Sequence, residues 1–238
     1  MPGTFKTEAV VLRSIRYGEA DRIIHLYTTT RGRVNAIAKG ARRPKSRFGG
    51  RLEPFFRCEL VLYEGRGELC TVNAASTLDG YPALRADGAA IDAAARACDA
   101  VLRLLDSAEP NLLAYNLLCR YLALLEAGEE RLEAALAFRL KLILVAGFAP
   151  ELAACARCGE RQDLSGFSGA AGGVVCGSCE AEGFSLSAEA HRFLVGAIGN
   201  PIADVGGASA SALRQAERAI NEIVEHHAQV RFRRASRR

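Results

Sequence analysis

The sequence predicts an α+β fold: a five-stranded OB-fold barrel at the amino end, then an α-helical domain with an inserted four-cysteine zinc ribbon. Three observations carry this. Residues 1–80 are short β-branched and aromatic runs separated by Gly, Pro and charged turns. Beyond Pro82, apolar residues recur at three- and four-residue steps. Four cysteines form two Cys-x2-Cys pairs, Cys155-Ala-Arg-Cys158 and Cys176-Gly-Ser-Cys179, with seventeen residues between them.

Strands are expected over residues 7–15, 22–29, 33–39, 55–63 and 68–74. Five strands in so short a segment fit a small barrel, and the OB-fold is the five-stranded barrel that binds oligonucleotides. Gly65-Arg66-Gly67 lies between two of these strands and reads as a hairpin turn, not as a dinucleotide loop. Ile91, Ala94, Cys98, Val101, Leu102 and Leu105 make residues 88–107 an amphipathic helix. Leu113 to Leu125 and Leu132 to Leu144 mark two more, and three successive helices imply a bundle. The cysteine module interrupts it over about 152–183. Helical periodicity resumes at residues 188–198 and again from Leu213 to His227. The expected domains are therefore 1–80, binding nucleic acid, and 81–238, helical with the ribbon.

Two Cys-x2-Cys pairs can close a tetrahedron of thiolates around one structural Zn(2+), with Cys155, Cys158, Cys176 and Cys179 as ligands. Four thiolates leave no open position for water or substrate, which argues against metal catalysis. Cys58, Cys70, Cys98 and Cys119 are isolated among apolar neighbours and read as small buried thiols. This usage fits a reducing compartment. No apolar run approaches the roughly 20 residues needed to span a bilayer, and the amino terminus lacks a signal-peptide pattern. The expectation is a cytoplasmic protein with no membrane partner.

The net charge of +4 conceals a strong segregation. Residues 1–80 carry +6, residues 81–230 carry −7, and residues 231–238 hold five arginines and no acid. This pattern suggests a polyanion-binding front, an acidic body and a basic tail. The front is concentrated in eight cations between Thr28 and Leu52 with no intervening acid: Arg31, Arg33, Lys39, Arg42, Arg43, Lys45, Arg47 and Arg51. Residues 40–50 are too rich in Gly, Pro and Arg to form a core, so they read as a loop displaying charge to phosphates. Phe48, inside that loop, is the aromatic expected to stack on bases; Tyr17, Tyr27 and Tyr63 read mostly as barrel core. The tail 230–238 reads equally as a nucleic-acid arm or a disordered solubilising end.

His25, His191, His226 and His227 show no metal-protease or deaminase spacing, and no phosphate-binding Gly-x4-Gly-Lys loop is present. A non-enzymatic protein is expected.

These residues resemble those of the RecO family of bacterial recombination mediators. The resemblance rests on Ala38-Lys-Gly-Ala-Arg-Arg-Pro-Lys-Ser-Arg47, Leu52-Glu-Pro-Phe55 and Gly65-Arg-Gly-Glu-Leu69. It continues through Gly147-Phe148, Pro150-Glu-Leu152, Cys155-x2-Cys158-Gly159, Phe167-Ser168, Gly172-Gly-Val174 and Cys176-x2-Cys179. It implies binding of single- and double-stranded DNA, annealing of complementary strands, and action with RecR to load RecA onto DNA coated by single-strand-binding protein. It also implies a nucleoid-associated location, with the eight cations contacting DNA. The acidic tail of single-strand-binding protein would dock on the helical domain, where Arg120, Arg131, Arg139 and Lys141 could supply a positive rim. An alternative reading is a zinc-ribbon and OB-fold adaptor binding RNA or the transcription or translation machinery. A zinc hydrolase is disfavoured by the closed thiolate set.

Overall fold

A computed structural model describes residues 3–235. The first five strands are β1 (Gly3–Tyr17), β2 (Asp21–Thr28), β3 (Gly32–Ala38), β4 (Arg57–Glu64) and β5 (Cys70–Asp79). They close a barrel in the order β1-β2-β3-β5-β4, with β3 and β5 parallel and the other neighbours antiparallel. This is the expected five-stranded OB-like barrel. Its closure depends on the length of β1, which pairs with β4 through Gly3–Val10 and with β2 through Ala9–Tyr17. The register shift between Val11 and Arg13 bends the strand between its two partners.

Alternation sorts the side chains. Ile24, Leu26, Val34, Ala36, Ala38, Leu60, Leu62 and Val72 point inward into one core. Phe48 and Leu52 belong to the same core, although both come from the segment between β3 and β4. Residues 40–56 are a succession of three-residue turns: Arg43 N–H donates to Gly40 O, Ser46 to Arg43, Gly49 to Ser46 and Arg51 to Phe48. The expectation that this stretch contributes nothing to a core is thus corrected. A side chain every four residues suffices to anchor a chain of turns, and Phe48 and Leu52 have that spacing.

The chain divides into two compact units, Met1–Gly128 and Glu129–Arg238. In the first, α1 (Pro82–Ala86), α2 (Gly88–Leu104) and α3 (Leu112–Glu126) follow the barrel. Asp87 and Asn111 cap α2 and α3 by accepting from Ala89 and Ala114 N–H. In the second, α4 (Leu132–Val145), α5 (Ala188–Gly199) and α6 (Ala210–Ile223) pack on one another. The first three long helices therefore do not form one bundle. The third packs with the last two because α4 buries residues on all its faces, Ala134 through Leu140 among them, and must be enclosed by other helices. The ribbon, β6 (Gly166–Ser168), β7 (Gly173–Val175) and β8 (Phe184–Ser185), is a small antiparallel sheet of order β7-β6-β8. No helix among the described residues is long and apolar enough to cross a membrane.

The reading of the tail as a disordered end does not hold as far as Ala235, and Arg231, Arg233 and Arg234 are exposed there. Phe232 and Ala235 are buried, Ala235 N–H donates to Glu217 (2.6 Å), and the Arg139 guanidinium lies over the Phe232 ring. The remaining expected tail residues, 236–238, lie outside the described residues.

Gly32, between β2 and β3, has φ of +53°, and a Cβ there would lie 2.3 Å from Glu109 O. Gly32→Ala is therefore expected to cost about 2 kcal/mol or more through overpacking and left-handed strain. Gly67, in the β4–β5 turn, faces open space, so Gly67→Ala should stay within about 0.5 kcal/mol of the parent. Denaturant midpoints compare the two; equal midpoints would contradict the close packing at Gly32.

Candidate functional site

The eight cations singled out in the sequence separate into two groups. Arg31 pairs with Glu64 and lies 4.0 Å over the Phe5 ring. Arg33 donates to Leu102 O at the end of α2 (3.1 Å). Both are held by internal partners. Lys39, Arg42, Arg43, Lys45, Arg47 and Arg51 are exposed, and none has an ion-pair partner among the described residues. Their few polar contacts go to backbone carbonyls: Arg42 to Gly18, Arg47 to Val72, and Arg51 to Arg47 and Phe48. A carbonyl neutralises no charge, so six positive charges remain available to anions.

The loop is held in place rather than merely tethered. Gly40 N–H donates to Asp21 Oδ1 (2.7 Å), Arg42 N–H to Ala20 O (2.8 Å) and Phe55 N–H to Val11 O (2.8 Å). Phe48 is 1% exposed beneath the loop, with Arg47 packed 4.8 Å from its ring centroid. The expectation that Phe48 stacks on bases is overturned, because a ring filling a barrel end cannot also face solvent. Tyr27 is equally buried, whereas Tyr17 and Tyr63 are 53% and 42% exposed. Alternation alone does not reveal this, because the shift after Val11 resets which residues of β1 face outward.

The second site is the thiol cluster. The Sγ atoms of Cys155, Cys158, Cys176 and Cys179 all lie within 4.8 Å of one another, and Cys158 and Cys176 are 3.7 Å apart. Four metal–sulfur bonds of about 2.3 Å in a tetrahedron place sulfurs ~3.8 Å apart, so the cluster can hold a metal ion. Local backbone builds it. Gly159 N–H donates to Cys155 O and Cys179 N–H to Cys176 O, so each Cys-x2-Cys is a tight turn. N–H groups of Cys158 and Cys176 point at the Cys155 sulfur and lower its pKa to about 6. Cys179 is pushed up to about 12 by the neighbouring Cys176 thiol and by burial. The other cysteines behave differently: burial raises Cys58 to about 11 and also raises Cys70, Cys98 and Cys119. They are inert packing thiols, as their isolation in the sequence suggested.

The ribbon is clamped to the helices of its own unit. His191 Nε2–H donates to Leu152 O (2.8 Å), and His227 Nε2–H to Gly169 O (2.7 Å). Glu222 accepts from Gly169 N–H. A Cβ on Gly173 would lie 2.2 Å from Glu151 O, so β7 can run against residue 151 only as glycine. Sequence spacing gave these histidines no role; their partners are backbone carbonyls, which leave no mark in a sequence.

The expected positive rim is mostly consumed. Arg139 is buried against Glu217 and donates to Arg233 O. Arg131 donates to Ala203 O (2.7 Å) and Lys141 to Ile198 O (2.7 Å), with burial lowering the Lys141 pKa. Of the four, Arg120 is exposed on α3.

Comparison with known proteins identifies the family. The family model described as Recombination protein O N terminal matches residues 1–81, and that described as Recombination protein O C terminal matches residues 85–236. The chain is 39% identical to the DNA repair protein RecO of Rubrobacter xylanophilus over 228 residues, covering 94% of this chain and 90% of the relative. It is 36% identical to that of Anaeromyxobacter dehalogenans over 236 residues, covering 93% and 91%. The match to the Geobacter sulfurreducens protein of the same name is 39% over 193 residues, covering 79% and 78%. With a barrel, a helical region and a four-thiol ribbon in the expected order, the chain belongs to the RecO family of DNA repair and recombination proteins.

Proposed function

We propose that this protein is a recombination mediator that binds single- and double-stranded DNA through the loop between β3 and β4 and anneals complementary strands. The observation that carries the reading is the set of six exposed cations, free of acidic partners, on a loop anchored by Phe48 and Leu52. Two DNA strands repel each other. A surface that binds both lowers that repulsion and raises their local concentration, so annealing needs no covalent step. In this reading Lys39, Arg42, Arg43, Lys45, Arg47 and Arg51 contact phosphates directly, while Arg31 and Arg33 set the barrel edge from which the loop departs. RecR, the tail of single-strand-binding protein and, through them, RecA are the partners, and the setting is the bacterial cytoplasm and nucleoid.

Replacing Arg42, Arg43, Lys45 and Arg47 with Ala should abolish annealing of strands coated with single-strand-binding protein and leave metal content intact. The slope of log affinity for single strands against log salt should shrink by about 3, since each lost phosphate contact removes ~0.7. Undiminished annealing would count decisively against the loop.

The resident metal is Zn(2+), chosen by the all-sulfur tetrahedral donor set, and its role is structural. It staples the ribbon, while the DNA surface lies in the other compact unit. Chelation should therefore lower the melting temperature before it changes DNA affinity. A variant with all four cysteines replaced by Ser that folds well yet fails to bind DNA would overturn this.

Metal affinity should also fall as pH falls. Ligation needs thiolates, and at neutral pH Cys155 is already ionised (pKa about 6) whereas Cys179 (about 12) must lose a proton on binding. Zinc titrations across pH 6.5–8.5, roughly the range between reference His and Cys values, should show proton release and tighter binding at the alkaline end. A pH-independent affinity would contradict thiolate ligation.

A further inference from the structure

The thiol cluster presents its sulfurs unequally to solvent. Cys158 is exposed and Cys179 half-buried, whereas Cys155 and Cys176 are 3% and 5% exposed. The chain neighbours Arg157, Gly159, Glu160 and Arg161 are exposed as well, so a small polar solute reaches Cys158 from water. Cys176 lies behind it, with its sulfur 3.7 Å away. Rotation of the two side chains closes that gap to the ~2.05 Å of a disulfide. An exposed thiolate in contact with a second thiol is the arrangement of a peroxide-reactive pair, because the first sulfur meets the oxidant and the second resolves the product. Cys58 and Cys98, in the other compact unit and 0% and 1% exposed, lack that access.

The two sulfurs belong to different turns. Cys155 and Cys158 share one Cys-x2-Cys turn, and Cys176 and Cys179 share the other. A Cys158–Cys176 bond therefore joins the same two turns that a shared cation joins. The rest of the ribbon is held without the thiols. His191 donates to Leu152 O, His227 to Gly169 O and Gly169 N–H to Glu222, and the Phe167 ring lies 5.8 Å from that of Phe184. Oxidation at this pair exchanges one cross-link for another and leaves the clamps in place.

We propose that Cys158 and Cys176 form a peroxide-responsive disulfide that replaces the metal as the staple of the ribbon. This rests on the reading of the cluster as a thiolate metal site, since ligation keeps Cys158 in the form that attacks peroxide. The Cys158 thiolate displaces hydroxide from hydrogen peroxide and becomes a sulfenic acid. The Cys176 thiolate then attacks that sulfur, forms the S–S bond and expels a second hydroxide. The two thiolates supply the two electrons that reduce one peroxide, and two protons from solvent convert the hydroxides to water. Cys155 and Cys179 are then the only donors left in the cluster, and the cation is released. A dithiol reductant restores both thiols. Such a pair keeps the ribbon of a DNA repair protein folded under the oxidants that damage DNA.

Full-length protein is treated with hydrogen peroxide. Zinc release is followed with a chromophoric chelator, and disulfides are mapped by peptide mass after alkylation of free thiols. Release and disulfide formation should rise together, with Cys158 joined to Cys176 and with Cys58 and Cys98 still open to alkylation after unfolding. The oxidised protein should melt about 5 °C or more above reduced protein stripped of metal, and a dithiol should restore zinc uptake. Cys179→Ser should still form the disulfide, whereas the three remaining cluster thiols of Cys158→Ser should stay reduced at the same dose. A Cys155–Cys158 or Cys176–Cys179 bond in the parent, or thiols that stay reduced at a dose that oxidises a free dithiol, would overturn the proposal. Failure of the metal reading is separately visible: purified protein without zinc would refute that reading alone, and the disulfide map would then decide the pair by itself.

Discussion

Six positive charges crowded into one loop repel each other, and their order depends on two apolar side chains. Phe48 and Leu52 enter the barrel core beside Leu60, Leu62 and Val72. Burying them gains several kcal/mol at about 25 cal/mol per Å2 of apolar surface, enough to outweigh repulsion between cations that solvent screens. The residues beside the anchors are then forced outward, which is where Arg47 and Arg51 are found. Core packing and charge display are thus one structural event.

The same economy governs the barrel wall. A closed five-stranded barrel has a single interior, and each strand spends alternate residues on it. Whatever occupies the other positions is free for function unless a helix covers it. Arg33, on the outer face of β3, donates to a helix carbonyl, whereas Val34 and Ala36 beside it enter the core.

The two classes of cysteine show how environment separates identical side chains. Burial without donors keeps Cys58 and Cys98 protonated, whereas tight turns that aim N–H groups at Cys155 prepare it as a thiolate. The neighbouring Cys176 thiol and burial instead hold Cys179 protonated. Meanwhile His191, His227 and Glu222 tie the ribbon to helices at places remote from the thiols.

Much was legible from residue order. Paired Cys-x2-Cys spacing identified the thiol set, since ligand geometry is local to each turn. Alternation and helical periodicity located the elements to within a few residues, and the run of cations marked the loop. What could not be read were partnerships between distant residues. Phe48 looked like a platform because its neighbours are charged, and only closure of the barrel turns it inward. Arg31, Arg33, Arg139 and Lys141 looked like free charge because their partners, Glu64, Leu102 O, Glu217 and Ile198 O, are 33 to 78 positions away. The sequence by itself determined the fold class, the four-thiol set and the sign of the surface, because composition and short spacings encode these. Tertiary structure alone decided which cations are free and which aromatics face solvent, because register and burial arise only when strands far apart in the chain pair.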